Sequence, residues 1–156
     1  MKKMYFKQGD VVEVMKSESP WNGSYLKAKV LEDPTSYGMC RVKYKSGRCP
    51  RTNLPMRETV NVRMLRPYPA CVEFEWFEIG DVVDAFDIMD AWWKGVITQR
   101  EGVYYKVYFE TRLVLAEFRH YKLRLHQEWE MKDDDEGEWK YTKNVDPEYS
   151  FDEDSD

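Results

Sequence analysis

Several things are scarce in this chain, and each scarcity narrows its function. No run of apolar residues approaches the ~20 needed to cross a bilayer as a helix. The opening Met1-Lys2-Lys3-Met4-Tyr5-Phe6 has neither the apolar core nor the small-residue cleavage site of a signal peptide. Three cysteines, Cys40, Cys49 and Cys71, show no CxxC spacing and no neighbouring histidine pair. They read as ordinary thiols in a reducing compartment, and no metal site is expected. His120 and His126 are the only histidines, and no Gly-rich phosphate loop occurs. Neither nucleophilic nor metal-assisted catalysis finds its usual residue types. The expectation is a binding module without cofactor, not an enzyme. Sustained helical periodicity is also missing, apart from a single turn expected near Glu117-Phe118-Arg119.

Aromatic residues, by contrast, are abundant: six Trp, eleven Tyr and seven Phe among 156 residues. Rings of this size bury enough area to give even small units a core. The net charge of -5 is unevenly spread. Residues 130–156 carry 12 acidic and 3 basic side chains, residues 1–76 carry 8 acidic and 14 basic, and residues 77–129 carry 9 and 7. The first half of the body is therefore basic, the second slightly acidic and the tail strongly acidic.

The order of short alternating segments repeats. Gly9-Asp10-Val11-Val12 enters a half-buried strand, Tyr25 to Leu31 alternates again, Cys40 to Tyr44 is a third strand, and Glu58 to Leu65 holds a fourth with an ending turn. After Arg66-Pro67-Tyr68-Pro69 the pattern restarts. Gly80-Asp81-Val82-Val83 matches the first segment at an offset of 71, Trp92-Trp93-Lys94-Gly95-Val96-Ile97 the second at 67, and Val107-Tyr108-Phe109 matches Val42-Lys43-Tyr44. Duplicated short strands predict an all-β chain of two small barrels. The expected boundaries are 4–67 and 76–141, joined by a linker at 68–75, with Trp139 and Tyr141 in a last strand. The acidic residues 142–156 are expected to be disordered.

These motifs resemble the plant Agenet branch of the Tudor-like superfamily in its tandem form. The resemblance rests on Phe-x-x-Gly-Asp-Val-Val at 6–12 and 77–83, on Gly23 to Val30, on Trp92 to Ile97, and on Leu123-Arg124-Leu125-His126-Gln127-Glu128-Trp129 with Trp139 beyond. It covers roughly residues 4–140. It implies two strongly bent, five-stranded barrels in a nuclear protein that reads methylated lysine on a histone H3 tail, with a silencing-type mark favoured.

The chemistry of that ligand suggests where to look. A methylated ammonium keeps its charge but loses donors and gains apolar surface, so it is best held by ring faces and a nearby carboxylate. Each exposed ring contributes about 0.5–1 kcal/mol and a desolvated one about 2. In such barrels rings come from the end of the first strand, the start of the second and the end of the third. Those places hold Phe86, the pair Trp92 and Trp93, and Phe109, with Asp87, Asp90 and Glu110 beside them. Trp92 and Trp93 have opposite strand parity, so one of them packs elsewhere. The other carboxylates of the run Glu78 to Asp90 read mostly as solvated surface, with Asp81 in the turn. In the first unit Trp21, Tyr25, Tyr44 and Glu13 are candidates for further peptide contacts, while Met15 and Leu26 stand where the second unit has rings.

Two other functions fit the same chain. The basic run Arg41, Lys43, Lys45, Arg48, Arg51 and Arg57 could meet nucleic-acid phosphates, or serve as a solubilising face. A protein–protein scaffold would use every aromatic as core. No membrane partner is expected, and the isolated module is expected to be a monomer.

Overall fold

The computed structural model describes residues 5–17, 22–48, 55–69, 76–87, 91–131, 137–141 and 143, with the side chains of 46–48, 55 and 131 excepted. The described chain is all-β with two single 3-10 turns. The first unit contains β1 (Val11–Lys16), β2 (Ser24–Val30), β3 (Met39–Arg48), β4 (Pro55–Asn61) and, after a 3-10 turn at Val62–Met64, β5 (Leu65–Pro67). The second repeats this order as β6 (Val82–Phe86), β7 (Ala91–Glu101), β8 (Tyr104–Phe109), β9 (Val114–Arg119), a 3-10 turn at His120–Lys122, and β10 (Leu123–Leu125). The turn expected at 117–119 lies three residues later, because Glu117 to Arg119 complete the β8–β9 ladder against Lys106 to Tyr104. A final hairpin, β11 (Glu128–Met131) and β12 (Gly137–Lys140), sets Trp129 opposite Trp139. The linker residues 70–75 and, apart from Lys143, the tail from 142 onward lie outside the described residues.

Strand parity explains the core. In β2, Leu26, Ala28 and Val30 point inward with Val12 and Val14 of β1 and Val42 and Tyr44 of β3, and all are buried. Each unit opens with a Gly-Asp turn. Gly9 and Gly80 have φ near +93 and +94, a conformation glycine adopts without Cβ strain. The Asp81 carboxylate accepts from the Glu78 amide at 2.8 Å and so ties that turn.

The first three residues of β2 and of β7 pair with each other across the two units. Ser24 lies opposite Trp93, Tyr25 opposite Trp92 and Leu26 opposite Ala91. At the repeat offset of 67, Tyr25 is the equivalent of Trp92, so this register is two-fold symmetric about the Tyr25–Trp92 pair. Ten strands thereby join one continuous sheet.

The same pseudo-axis organises a buried ionic cluster. Glu13 on β1 pairs with Arg66 on β5, and their equivalents Asp84 on β6 and Arg124 on β10 pair in the same register. Glu13, Arg66 and Asp84 are fully buried. Arg66 donates to Glu13 through Nε at 3.0 Å and Nη2 at 2.8 Å. Arg124 donates to Asp84 at 2.9 Å and crosses to Glu13 at 2.8 and 3.0 Å. Each guanidinium also covers a ring: Arg66 lies 3.8 Å from the Tyr25 centroid and Arg124 4.2 Å from that of Trp92. His126 extends the cluster, bonded to Asp84 at 2.7 Å and to Glu128 at 2.9 Å. Burial alone would raise the Asp84 carboxyl, but the His126 hydrogen bond and the Arg124 charge outweigh it and hold it below its ordinary value.

Candidate functional site

The open end of the second unit lies where β6 leads to β7 and β8 to β9. After β6 the chain passes through Asp87, whose amide donates to the Ala91 carbonyl at 3.1 Å, and re-enters the sheet at β7. After β8 it turns at 109–112, where the Arg112 amide donates to the Phe109 carbonyl at 3.2 Å. By parity Trp93 faces inward, and only 5% of it is exposed. Its indole Nε1 donates to the Asp87 carboxylate at 2.7 Å. The Arg112 guanidinium lies over the ring, 4.5 Å from its centroid. Phe109, also buried, meets Phe118 edge-on with centroids 5.7 Å apart. Gly95 makes this packing possible: a Cβ there would come within 2.5 Å of Val107 Cγ1 and 3.1 Å of Phe109 Cδ1. The site therefore has an aromatic face, a carboxylate fixed to the ring's edge, and an organic cation already on the face.

The four expected cage rings divide by strand face. Phe86 and Trp92 are a directly opposed cross-strand pair, with ring centroids 4.8 Å apart, whereas Trp93 lies opposite Ala85. Lys122 Nζ stands 5.4 Å from the Phe86 centroid, and Arg124 covers Trp92. Trp92 is thus the member of the tryptophan pair that packs elsewhere, as the counterpart of Tyr25 on the pseudo-axis. Trp93 and Phe109 remain on the inner face with Asp87. Glu110 is exposed in the turn after β8. Asp90 lies outside the described residues.

The first-unit candidates take different places. Tyr25 is buried under Arg66, and burial pushes its phenol well above the usual range. Glu13 is fully buried with its oxygens bonded to two guanidiniums, so it is a structural charge rather than a peptide contact. The reading of Asp84 as solvated surface is corrected in the same way, since it is fully buried among Arg124, His126 and, at 3.9 Å, Arg66 of the first unit. Tyr44, the equivalent of Phe109, is buried and bonds to Glu58 at 3.1 Å. At the place of Asp87 the first unit has Lys16. Its Nζ bonds to Glu58 at 3.0 Å and lies 5.5 Å from the Tyr44 centroid. The first unit's own lysine therefore sits at the place corresponding to the second unit's carboxylate. Trp21 and Arg51 lie outside the described residues, as does the side chain of Arg48. Of the basic run, Arg41 is engaged by Glu32 at 2.8 Å, while Lys43 and Lys45 lie on the outer face of β3.

Sequence reading missed Arg112, Lys16 and Glu58. The repeat offset of 71 does place Lys16 on Asp87, so that charge reversal was present in the alignment of the two halves. Arg112 had no such marker, because its position depends on how the 109–112 turn folds.

A family model described as the Agenet domain matches residues 9–70. The chain is 36% identical over 129 residues to Protein AGENET DOMAIN (AGD)-CONTAINING P1 of Arabidopsis thaliana, a match covering 81% of this chain and 25% of that protein. It is 32% identical over 128 residues to the DUF724 domain-containing protein 6 of the same plant, covering 79% of this chain and 18% of that protein. The chain thus spans at most about a quarter of the length of these curated relatives. Among solved structures it resembles Arabidopsis thaliana AGDP1 AGD34, with a TM-score of 0.76 and 29% identity over 88% of this chain and 90% of that one. It also resembles the ADCP1 tandem Agenet domain 3-4, with a TM-score of 0.73 and 29% identity over 88% and 89%.

Proposed function

This chain belongs to the Agenet family, Tudor-like and in tandem, and on that premise we propose that it is a nuclear chromatin reader that binds a methylated lysine of the histone H3 tail. One observation carries the reading. The second unit holds a guanidinium over the Trp93 ring at 4.5 Å, with the Asp87 carboxylate bonded to that ring's edge at 2.7 Å. A guanidinium and a methylated ammonium are both weakly hydrated organic cations, and both are attracted by the negative face of an indole. The methylated side chain takes the place of Arg112 over Trp93, with Phe109 as a further wall and Asp87 supplying the counter-charge. Phe86, on the other strand face with Trp92, takes no part in this site.

Arg112 leaves cheaply because its side chain is exposed and it forms no ion pair among the described residues. Displacing it exchanges one cation–π contact for another. The net gain for the ligand comes from burying its methyl groups, which is the term that separates methylated from unmethylated lysine. This reading also gives the first unit a different role. Lys16 and Glu58 fill the corresponding place there, so a single methylated residue is read in the second unit.

Calorimetric titration of H3 tail peptides bearing unmodified, mono-, di- and trimethylated lysine tests this directly. The methylated forms are expected to bind in the micromolar range, about -8 kcal/mol, and Trp93→Leu to weaken them at least tenfold. Equal affinities for methylated and unmethylated peptides would sink the proposal.

A further inference from the structure

The outer face of the first unit carries a row of directly opposed cations. β1 places Val11 opposite Lys29 of β2, β2 places Lys29 opposite Lys43 of β3, and β3 places Lys43 opposite Arg57 of β4. Lys27 and Lys45 have the same parity, one step along β2 and β3. Strands lie about 4.8 Å apart and alternate residues about 7 Å apart, so five cations occupy a small grid. Like charges directly opposite one another destabilise a sheet. Among the described residues, Lys29, Lys43, Lys45 and Arg57 form no ion pair, and the one carboxylate in register with the grid, Glu13 opposite Lys27, is bonded to Arg66 and Arg124. Lys27 rests 4.5 Å from the Tyr68 ring centroid. Between the strands the bent sheet leaves a concave hollow of about 400 Å³, lined by Val11, Lys27, Lys29, Lys43, Tyr44 and Lys45.

The second unit shows that the fold does not require this arrangement. The equivalent row is Val82, Val96, Tyr108 and Leu115, in the same register and without a charge. A repulsive row that the sister unit lacks is accounted for by a ligand that neutralises it.

We propose that this face is a binding site for the phosphate backbone of duplex nucleic acid. At Lys29 and Lys43, the centre of the grid, β2 and β3 are paired on both sides, so an acidic peptide cannot add there as a strand and would be held by side chains alone. Duplex DNA offers one negative charge per about 1.7 Å of axis, so several phosphates of one duplex lie within reach of these five cations at once. Four of the five cations are lysines, compact point charges suited to phosphates and not to bidentate base reading. The site is therefore sequence-independent.

The test is fluorescence anisotropy of the whole chain with a labelled 20-base-pair duplex across a salt series, beside Lys29→Ala/Lys43→Ala/Arg57→Ala. The affinity of the natural chain should fall steeply with salt. The triple variant should bind at least tenfold more weakly, with the logarithmic salt slope reduced by about one per cation removed. Its thermal midpoint should be equal or higher, since repulsion has been removed, which separates lost binding from lost folding. Its affinity for a methylated H3 peptide should be unchanged. Binding that ignores salt, a triple variant that binds like the natural chain, or a poly-glutamate peptide that binds more tightly than the duplex would each overturn the proposal.

Discussion

The two units share strand order, register and a common pseudo-axis, yet they differ at the positions where a ligand would meet them. At the open end the second unit has Asp87, Trp93 and Phe109, and the first has Lys16, Leu26 and Tyr44. On the outer face the second unit presents valines, Tyr108 and Leu115, and the first presents cations. The positions kept alike, Glu13 with Asp84, Arg66 with Arg124 and Tyr25 with Trp92, are those that hold the halves together. Near the axis each unit must satisfy the other's buried charges, and this restricts change. Away from the axis neither constrains the other, so one copy can read an organic cation and the other can attract anions.

The largest expected effect comes from breaking what the units share. Arg66→Ala leaves Glu13 buried with one guanidinium fewer, and uncompensated buried charge of this kind costs about 3–5 kcal/mol. Urea unfolding should show a lower midpoint, whereas Lys29→Ala, on the unshared face, should be neutral or slightly stabilising. Next comes the imposition of the first unit's charge on the second: Asp87→Lys should abolish methyl-peptide binding, a loss of at least a hundredfold by calorimetry, through repulsion and loss of the Trp93 hydrogen bond. Trp93→Leu, which copies Leu26, should cost at least tenfold. The smallest effect should run the other way. Arg112→Ala removes the resident cation, so methyl-peptide affinity should rise severalfold, and an unchanged or weaker affinity would show that Arg112 helps to build the site.

Acid provides a further test of the shared centre. The Asp84 carboxyl is held below its ordinary 3.8, and Glu128 below its ordinary 4.5, despite burial that would raise both. Groups with lowered folded values stabilise fully above their unfolded values and lose that contribution as pH falls through the folded ones. The urea midpoint should therefore hold above about pH 5 and decline below about 4. An unfolding midpoint flat down to pH 2 would contradict this account of the cluster.

Much of this was legible in the sequence, for identifiable reasons. Alternation in Tyr25 to Val30 and in Trp92 to Ile97 located the strands, since period-two burial writes itself directly into residue type. The opposite parity of Trp92 and Trp93 implied that the two rings part company, and they do. What could not be read was anything that depended on how one unit meets the other. The carboxylates of Glu13 and Asp84 look like surface residues in their own strands. They are interior where arginines from both units converge on them, Arg66 and Arg124 on Glu13 and Arg124 and Arg66 on Asp84. Lys16 over Tyr44 and Arg112 over Trp93 were hidden for a related reason: a long cationic side chain can reach several partners, and its sequence position does not select one.

The β2–β7 ladder has a consequence for the history of such a molecule. A two-fold register, with Tyr25 opposite its own counterpart and each arginine reaching toward the other half's carboxylate, is what two identical copies of one unit would form as an isologous dimer. The ancestor implied by this geometry is a self-associating single barrel whose sheet edge found its mate in another chain. Fusing two copies end to end makes that mate permanent and independent of concentration. It also removes the symmetry requirement: once the copies are no longer products of one coding segment, each can change without forcing the same change on its twin. The divergence between Asp87 and Trp93 at one open end and Lys16 and Leu26 at the other, and between the charged and uncharged outer faces, is what that freedom permits.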